Sequence, residues 1–258
     1  MPSTLFDLHG KVALVTGACG GLGIALCEAL GAQGAAIVVS DRDAEACAQL
    51  VQKLGAAGID ATSLPMDLAD ISGIAQQAAR ALAWKGQVDI LVCNAGVQGP
   101  AGPLADIKDA DWQLVMDVNL RAVLELGTQL LPAMAARGGG SVILMSSIAG
   151  LRGNKAIGLY GLSKAALAQL ARNLAVEWGP AGIRVNAISP GLIRTPLAAQ
   201  LLDNAQFMQR RLALTPLRRV GEPAEVAGAA VMLASAAGAF ITGHNLVIDG
   251  GTTIGDGN

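Results

Sequence analysis

The sequence predicts a single doubly wound parallel β-sheet with α-helices on both faces. Three observations lead to that class. Strand and helix patterns alternate without a break from Lys11 to Gly250, the order that winds one parallel sheet. The strand segments are continuous apolar runs, such as Val12-Ala13-Leu14-Val15 and Ile90-Leu91-Val92, as in strands covered on both faces. No Pro/Ser-rich linker or shift of composition divides the 258 residues, so one domain over residues 1–258 is expected although the length permits two.

The elements follow in order. Val12 to Val15 forms a buried strand ending at Thr16-Gly17, and a helix runs from about Gly21 to Gly34. Ile37-Val38-Val39 is the second strand, closed by Ser40-Asp41. Cys47, Leu50, Val51 and Leu54 recur at helical spacing in the next helix. A third short strand ends near Asp67, and Asp70 is placed to cap the helix whose inward stripe is Ile71, Ile74, Ala75, Ala78 and Leu82. Ile90 to Val92 runs into Asn94-Ala95-Gly96, and one long helix covers about Asp111 to Arg137. Val142 to Met145 ends at Ser146-Ser147, and a helix spans about Gly158 to Trp178. Val185 to Ile188 stops at Pro190-Gly191; Pro223 opens another helix, a favoured first-turn position, and Leu246 to Ile248 closes the sheet.

Composition narrows the function classes. The net charge is −2 with no Lys/Arg-rich tract, so no nucleic-acid partner is expected. The pairs Arg210-Arg211 and Arg218-Arg219 read as a solvated helix face or subunit contact, with attraction for an anionic substrate as the alternative. Cys19, Cys27, Cys47 and Cys93 form no CxxC, and His9 and His244 are the only histidines, so no metal site is expected. Buried thiols in a reducing compartment are expected instead. Met1 to Lys11 lacks an apolar signal core, and the uncharged stretch Val226 to Gly243 is too weakly apolar for a membrane helix. A soluble cytoplasmic protein is expected.

The segment Thr16-Gly17-Ala18-Cys19-Gly20-Gly21-Leu22-Gly23 sits between the first strand and first helix. Glycines let backbone N–H groups approach a pyrophosphate, and a helix N-terminus favours its charge. Asp41, at the end of the second strand, is positioned to accept from both hydroxyls of a ribose and to repel a 2′-phosphate, which points to NAD rather than NADP. Gly20 leaves no basic side chain in the turn, in agreement; Arg42 reads as solvated, or as a partner for a 2′-phosphate.

Tyr160 is the single tyrosine, and Lys164 follows four residues later, so both share one helix face. A free tyrosine titrates near ~10, and a neighbouring cation lowers that value. Tyr160 is then able to exchange a proton with an alcohol or ketone. Ser147 lies at a strand end facing the ligand crevice of such sheets, where its hydroxyl can hold the substrate oxygen.

With these residues in place the sequence resembles the classical short-chain dehydrogenase/reductase family over nearly its whole length. The glycine turn matches that family's Thr-Gly-x-x-x-Gly-x-Gly; Asn94-Ala95-Gly96, Asn119, Ser147, Tyr160-x-x-x-Lys164 and the run Pro190 to Thr195 match its other motifs. The resemblance implies a Rossmann fold, a nicotinamide cofactor and a homotetramer. It implies that Tyr160 is the general acid/base, that Lys164 lowers its pKa and binds the nicotinamide ribose, that Ser147 polarises the substrate oxygen, and that Asn119 holds a water relaying protons to Lys164. It places Ile193 and Thr195 at the carboxamide, Asp67 and Leu68 at the adenine, and Gly17, Gly20, Gly21, Leu22, Gly23, Asn94, Ala95, Gly96, Pro190 and Gly191 along the cofactor.

The same resemblance places the substrate among Val97, Ile148, Asn154, Ile157, Leu192 and the Leu/Ala-rich stretch from Leu197 to Leu214, within a substrate-loop segment at about 191–220. That stretch reads as a mobile lid or as a helical hairpin packed on the core. Its apolar character points to a hydrophobic secondary alcohol or ketone, with sugars and polyols open. The rival readings are an NADPH-dependent 3-oxoacyl-(acyl-carrier-protein) reductase and a non-catalytic NAD-binding sensor. Against the first stand Asp41 and the absence of arginine at Gly138 and Ala181, although Arg137 is adjacent; against the second stand the retained Ser147, Tyr160 and Lys164.

Overall fold

Side chains along a strand point alternately to opposite faces, and the first strand shows the consequence. In the computed structural model, which describes residues 4–255, Val12 and Leu14 of β1 (Val12–Thr16) enter one apolar core while Ala13 and Val15 enter another. Residues 1–3 and 256–258, the two ends of the expected domain, lie outside the described residues. Six further strands join β1: β2 (Ala36–Ser40), β3 (Ala61–Ser63), β4 (Ile90–Cys93), β5 (Gly140–Met145), β6 (Ile183–Pro190) and β7 (Asn245–Ile248). All pair in parallel in the order β3-β2-β1-β4-β5-β6-β7. The expected doubly wound sheet is therefore present.

Helices α1 (Gly21–Ala32) and α2 (Ala44–Ala56) bury Leu26, Leu30, Leu50 and Leu54 on one face of the sheet. Helix α3 (Ile74–Lys85) buries Ile74, Ala78 and Ala81 on the other. Local chemistry starts several of these elements. Asp43 caps α2 by accepting from the N–H groups of Glu45 and Ala46, both at 3.0 Å, which satisfies first-turn donors. Asp70 caps, but it closes the 3-10 turn Ile71–Gly73 that precedes α3 rather than α3 itself.

The long helix expected over about 111–137 is continuous but not uniform. It divides into α4 (Asp109–Met116), a π-helical turn (Asp117–Arg121) and α5 (Ala122–Ala136). The extra residue of the π-turn carries Asn119, fully buried. The third strand also differs: β3 ends at Ser63, not near Asp67, although the backbone bonds Leu64 N to Val39 O and Met66 N to Asp41 O carry the chain alongside β2.

Helix α6 (Gly158–Trp178) lies on the α3/α5 face. After β6 come a 3-10 turn (Pro196–Ala198) and two short helices, α7 (Ala199–Leu202) and α8 (Ala205–Ala213). Helix α9 (Pro223–Ala234) packs on α1, and it opens with Pro223 at its first turn as expected. The order of strands reverses between β1 and β4, and in open sheets ligands bind in the crevice beyond the strand C-termini at that point.

Candidate active site

The turn leaving β1 is held open by glycine geometry. Gly17 has φ of +61°, and a Cβ there would lie 2.7 Å from Ala95 Cα; a side chain at Gly23 would collide with the Gly17 carbonyl oxygen. Gly20 precedes α1 and no side chain caps that helix. The first-turn N–H groups of Gly21, Leu22 and Gly23 therefore have no intrahelical acceptor and face outward at the positive end of the helix dipole. This cradle fits the pyrophosphate of a dinucleotide.

Two neighbours fix the turn. Asn94, at the end of β4, donates from Nδ2 to the carbonyls of Thr16 (3.2 Å) and Gly17 (2.9 Å). The Thr16 hydroxyl accepts from the N–H groups of Asn94 and Ala95 at 3.2 and 3.3 Å. Asp41 stands on the other side: Oδ2 accepts from Cys19 N at 3.1 Å and Oδ1 from Arg42 N at 2.8 Å. The donor set thus brings a carboxylate beside the phosphate cradle, as a ribose requires. Arg42 is exposed, and the exposed Asp67 accepts from Ala69 N at 2.9 Å while Leu68 is buried.

At the other end of the crevice, β5 delivers Ser147 and α6 delivers Tyr160 and Lys164. Ser147 has an extended backbone, its hydroxyl accepts from Ala149 N at 3.1 Å, and it lies beside the Tyr160 phenol. Lys164 is buried; its Nζ donates to the Met145 carbonyl at 2.7 Å and sits 5.5 Å from the centroid of the Tyr160 ring. Ser146 donates to the Lys164 carbonyl at 2.6 Å, which pins α6 to the end of β5.

Burial sets the protonation of this pair. It raises the Tyr160 pKa above the ordinary phenol value, and the hydrogen bond with Ser147 acts in the opposite sense. It lowers the Lys164 pKa to about 8. The net shift at Tyr160 is therefore upward and set by burial. Burial disfavours the tyrosinate and the lysine cation alike.

Asn119 anchors the floor of the crevice. Its Nδ2 donates to Val97 O (2.8 Å) and to Ser163 Oγ (2.9 Å), and its Oδ1 accepts from Val97 N (2.8 Å). One Oδ1 lone pair is left, on the side of Gly96: a Cβ on Gly96 would be 3.2 Å from Asn119 Oδ1 and 3.1 Å from Lys164 Nζ. The segment after β6 closes the far side. Thr195 and Pro196 pack against Gly21, where a Cβ would meet them at 3.3 and 2.7 Å. Ile193 is buried, and Pro190 pairs with Ile248 on β7.

The structure thus joins the glycine turn, Asp41, Asn94 to Val97, Asn119, Ser147, Tyr160, Lys164 and Thr195 in one network. Asn154 closes an exposed turn, its Oδ1 accepting from Ala156 N and Ile157 N at 2.9 and 3.1 Å. Three participants are additional to the expected set. Ser163 is three residues after Tyr160, a spacing that signals a shared face. The Cys19 N–H and the Met145 carbonyl are backbone groups and carry no sequence signal.

Comparison with known proteins agrees with this geometry. A family model described as enoyl-(acyl carrier protein) reductase matches residues 17–253. The chain is 38% identical over 253 residues to galactitol 2-dehydrogenase (L-tagatose-forming) of Cereibacter sphaeroides, covering 97% of this chain and 98% of that protein. It superposes with TM-score 0.93 and 34% identity on 7α-hydroxysteroid dehydrogenase complexed with NADH and 7-oxo glycochenodeoxycholic acid, covering 97% of each chain. A gluconate 5-dehydrogenase of Burkholderia cenocepacia in complex with NADP and tartrate matches with TM-score 0.93 and 35% identity over 97% of this chain and 98% of the other. Sequence, topology and site motifs agree, and the chain belongs to the classical short-chain dehydrogenase/reductase family.

Proposed function

We propose that the protein transfers a hydride between NAD(H), preferred over NADP(H), and the alcohol or ketone group of a small substrate with an apolar body. The observation that carries this reading is the buried Tyr160–Lys164 pair with Ser147 beside the phenol. The relatives support the coarser class, since they are named as dehydrogenases and two of the solved structures are complexes with NADH or NADP.

The nicotinamide ring, when bound, supplies or accepts the hydride. In ketone reduction Tyr160 donates its proton to the carbonyl oxygen, and the Ser147 hydroxyl donates a hydrogen bond to the same atom. In alcohol oxidation the proton returns to Tyr160. The Lys164 cation, 5.5 Å from the centroid of the Tyr160 ring, stabilises the tyrosinate left behind and holds the nicotinamide ribose. Asn119 offers its remaining Oδ1 lone pair to a water beside Lys164, a route by which Tyr160 is reprotonated. Asp41 accepts from the adenosine ribose hydroxyls, and its charge opposes a 2′-phosphate. Ile193 and Thr195 contact the carboxamide, and Val97, Ile148, Ile157 and Leu192 line the substrate body.

We further propose a homotetramer working in the cytoplasm. Exposed apolar side chains on α4 to α6 and at the C-terminal edge, among them Trp112, Leu124, Leu162, Val176 and Phe240, support association, and four free thiols suit a reducing compartment. Among the described residues no helix is long and apolar enough to cross a membrane.

The test is NADH formation from NAD and a panel of secondary alcohols, from small polyols to cyclic and steroid-like alcohols. Tyr160→Phe is expected to abolish turnover while NADH still binds, and NADP is expected to be the poorer cofactor. Near-normal turnover by Tyr160→Phe would overturn the acid/base role.

A further inference from the structure

The four arginines around α8 divide into two kinds. Arg218 folds back and donates to the carbonyls of Leu212 and Ala213 at the C-terminus of α8. Arg219 pairs with Glu225, Nη1 to Oε2 at 2.8 Å. Arg210 is exposed. Arg211 differs from all three. The inward stripe of α8 is Phe207, Met208, Arg211 and Leu212, each partly buried, while Gln206, Gln209 and Arg210 are exposed. Arg211 is the one charge on that face.

Arginines usually keep the guanidinium in water and bury only the stem. The Arg211 Nε is sealed from solvent and has no hydrogen-bond partner among the described residues. The Arg211 carbonyl accepts from the Thr215 hydroxyl at 2.9 Å, and Thr215 packs on Gly250 just beyond β7. The Thr215 hydroxyl lies 3.0 Å from that of Thr252, just past Asp249. Asp249 packs against Gly191, where a Cβ would be 2.7 Å from the Asp249 Cα. Arg152 lies in the exposed loop five residues after Ser147. Burial and the nearby Arg152 disfavour the Arg211 charge more than Asp249 favours it. Asp249 is itself committed, accepting from Gly251 N at 2.8 Å and Thr253 N at 2.7 Å. Among the described residues no carboxylate lies within 4.0 Å of either guanidinium.

Arg211 thus holds a sealed, unpartnered Nε on the inward face of α8, with the like charge of Arg152 near enough to disfavour its own. A partly buried unpaired cation is costly until an anion joins it, and a guanidinium matches a carboxylate in planar, two-bond geometry. We propose that Arg211, with Arg152, forms an anion subsite that selects substrates bearing a carboxylate remote from the reacting carbon. Phe207, Met208 and Leu212 then cover the apolar body between the two ends, so the substrate class is an apolar oxo acid or hydroxy acid. The inference rests on the proposed oxidoreductase reading for the reaction, but the subsite itself is testable by binding.

The first arm compares reduction of 4-oxocyclohexanecarboxylate with that of its methyl ester, using NADH and NADPH. Wild type is expected to favour the acid at least about tenfold in kcat/KM. In Arg211→Gln that ratio falls towards one, through the KM of the acid, and Arg211→Lys recovers part of it. Arg152→Gln lowers the ratio less, and Arg210→Gln, on the exposed face of the same helix, leaves it unchanged. A wild-type ratio near one, or a ratio that survives Arg211→Gln, overturns the subsite. The second arm titrates cyclohexanecarboxylate and cyclohexanecarboxamide into the NADH-bound protein by calorimetry. The acid is expected to bind at least tenfold tighter, and Arg211→Gln to remove the difference. Acid binding without turnover of any ketone sinks the oxidoreductase reading and keeps the subsite. Turnover with no discrimination in either arm sinks the subsite alone.

Discussion

Asn119 holds Val97 by both backbone groups, accepting from its N–H and donating to its carbonyl, each at 2.8 Å. The pairing mimics a strand neighbour and fixes the chain leaving β4, one residue beyond Gly96. Asn119→Ala leaves the partly buried N–H and carbonyl of Val97 unpaired and frees Ser163 Oγ. Each orphaned group costs roughly 1–3 kcal/mol, and one kcal/mol is worth about 2–4 °C in a chain of this size. A fall in Tm of roughly 5 °C or more is expected by calorimetry, with at least a tenfold loss of turnover. An unchanged Tm would show that the contact does not hold the floor of the crevice.

This residue also marks where the sequence stops being legible. Asn119 is found by its motif, but the π-turn that carries it is not, because α4 and α5 read as one uninterrupted amphipathic stretch. The bulge arises from tertiary demand: Asn119 must reach Val97 and Ser163 at once, and an extra residue in the turn re-aims it. By contrast Gly17 and the Tyr160–Lys164 pair are readable from local rules, a positive φ in one case and a shared helix face in the other. The upward shift at Tyr160 is hidden from the sequence for a related reason. A cation four residues away is visible in the sequence, whereas the pocket that desolvates the phenol is assembled from distant segments. Arg211 belongs to the same class, since only packing separates it from Arg210 beside it.

Lys164 gives a prediction of sign. Its pKa falls from the ordinary 10.5 to about 8 in the folded protein because burial disfavours the charge. Between those values the unfolded chain binds more protons than the folded one, so stability rises with pH across that window and the cost is fully present below about pH 8. Lys164→Met removes the buried cation at the loss of one bond to the Met145 carbonyl. Thermal denaturation at pH 7 is expected to show a Tm higher by a few degrees, with turnover abolished. A lower Tm would mean that the bond to Met145 outweighs the desolvation. The same titration is expected to place a falling limb near pH 8 in kcat/KM for ketone reduction, as Lys164 loses its charge.

Asp41 separates two roles by choice of substitution. Its carboxylate faces the adenosine ribose in the proposed function, yet it also accepts from Cys19 N inside the phosphate turn. Asp41→Ala removes both the charge and the acceptor. The KM for NAD is expected to rise because the turn is loosened, and the ratio of kcat/KM for NAD over NADP to fall at least about tenfold because a 2′-phosphate is no longer repelled. Asp41→Asn keeps an oxygen for Cys19 N and removes only the charge. If the ratio falls equally in Asp41→Asn, the charge sets cofactor choice, and the exposed Arg42 beside it becomes free to attract a 2′-phosphate. If the ratio is unmoved in Asp41→Asn while Asp41→Ala weakens both cofactors, Asp41 holds the turn and does not read the ribose.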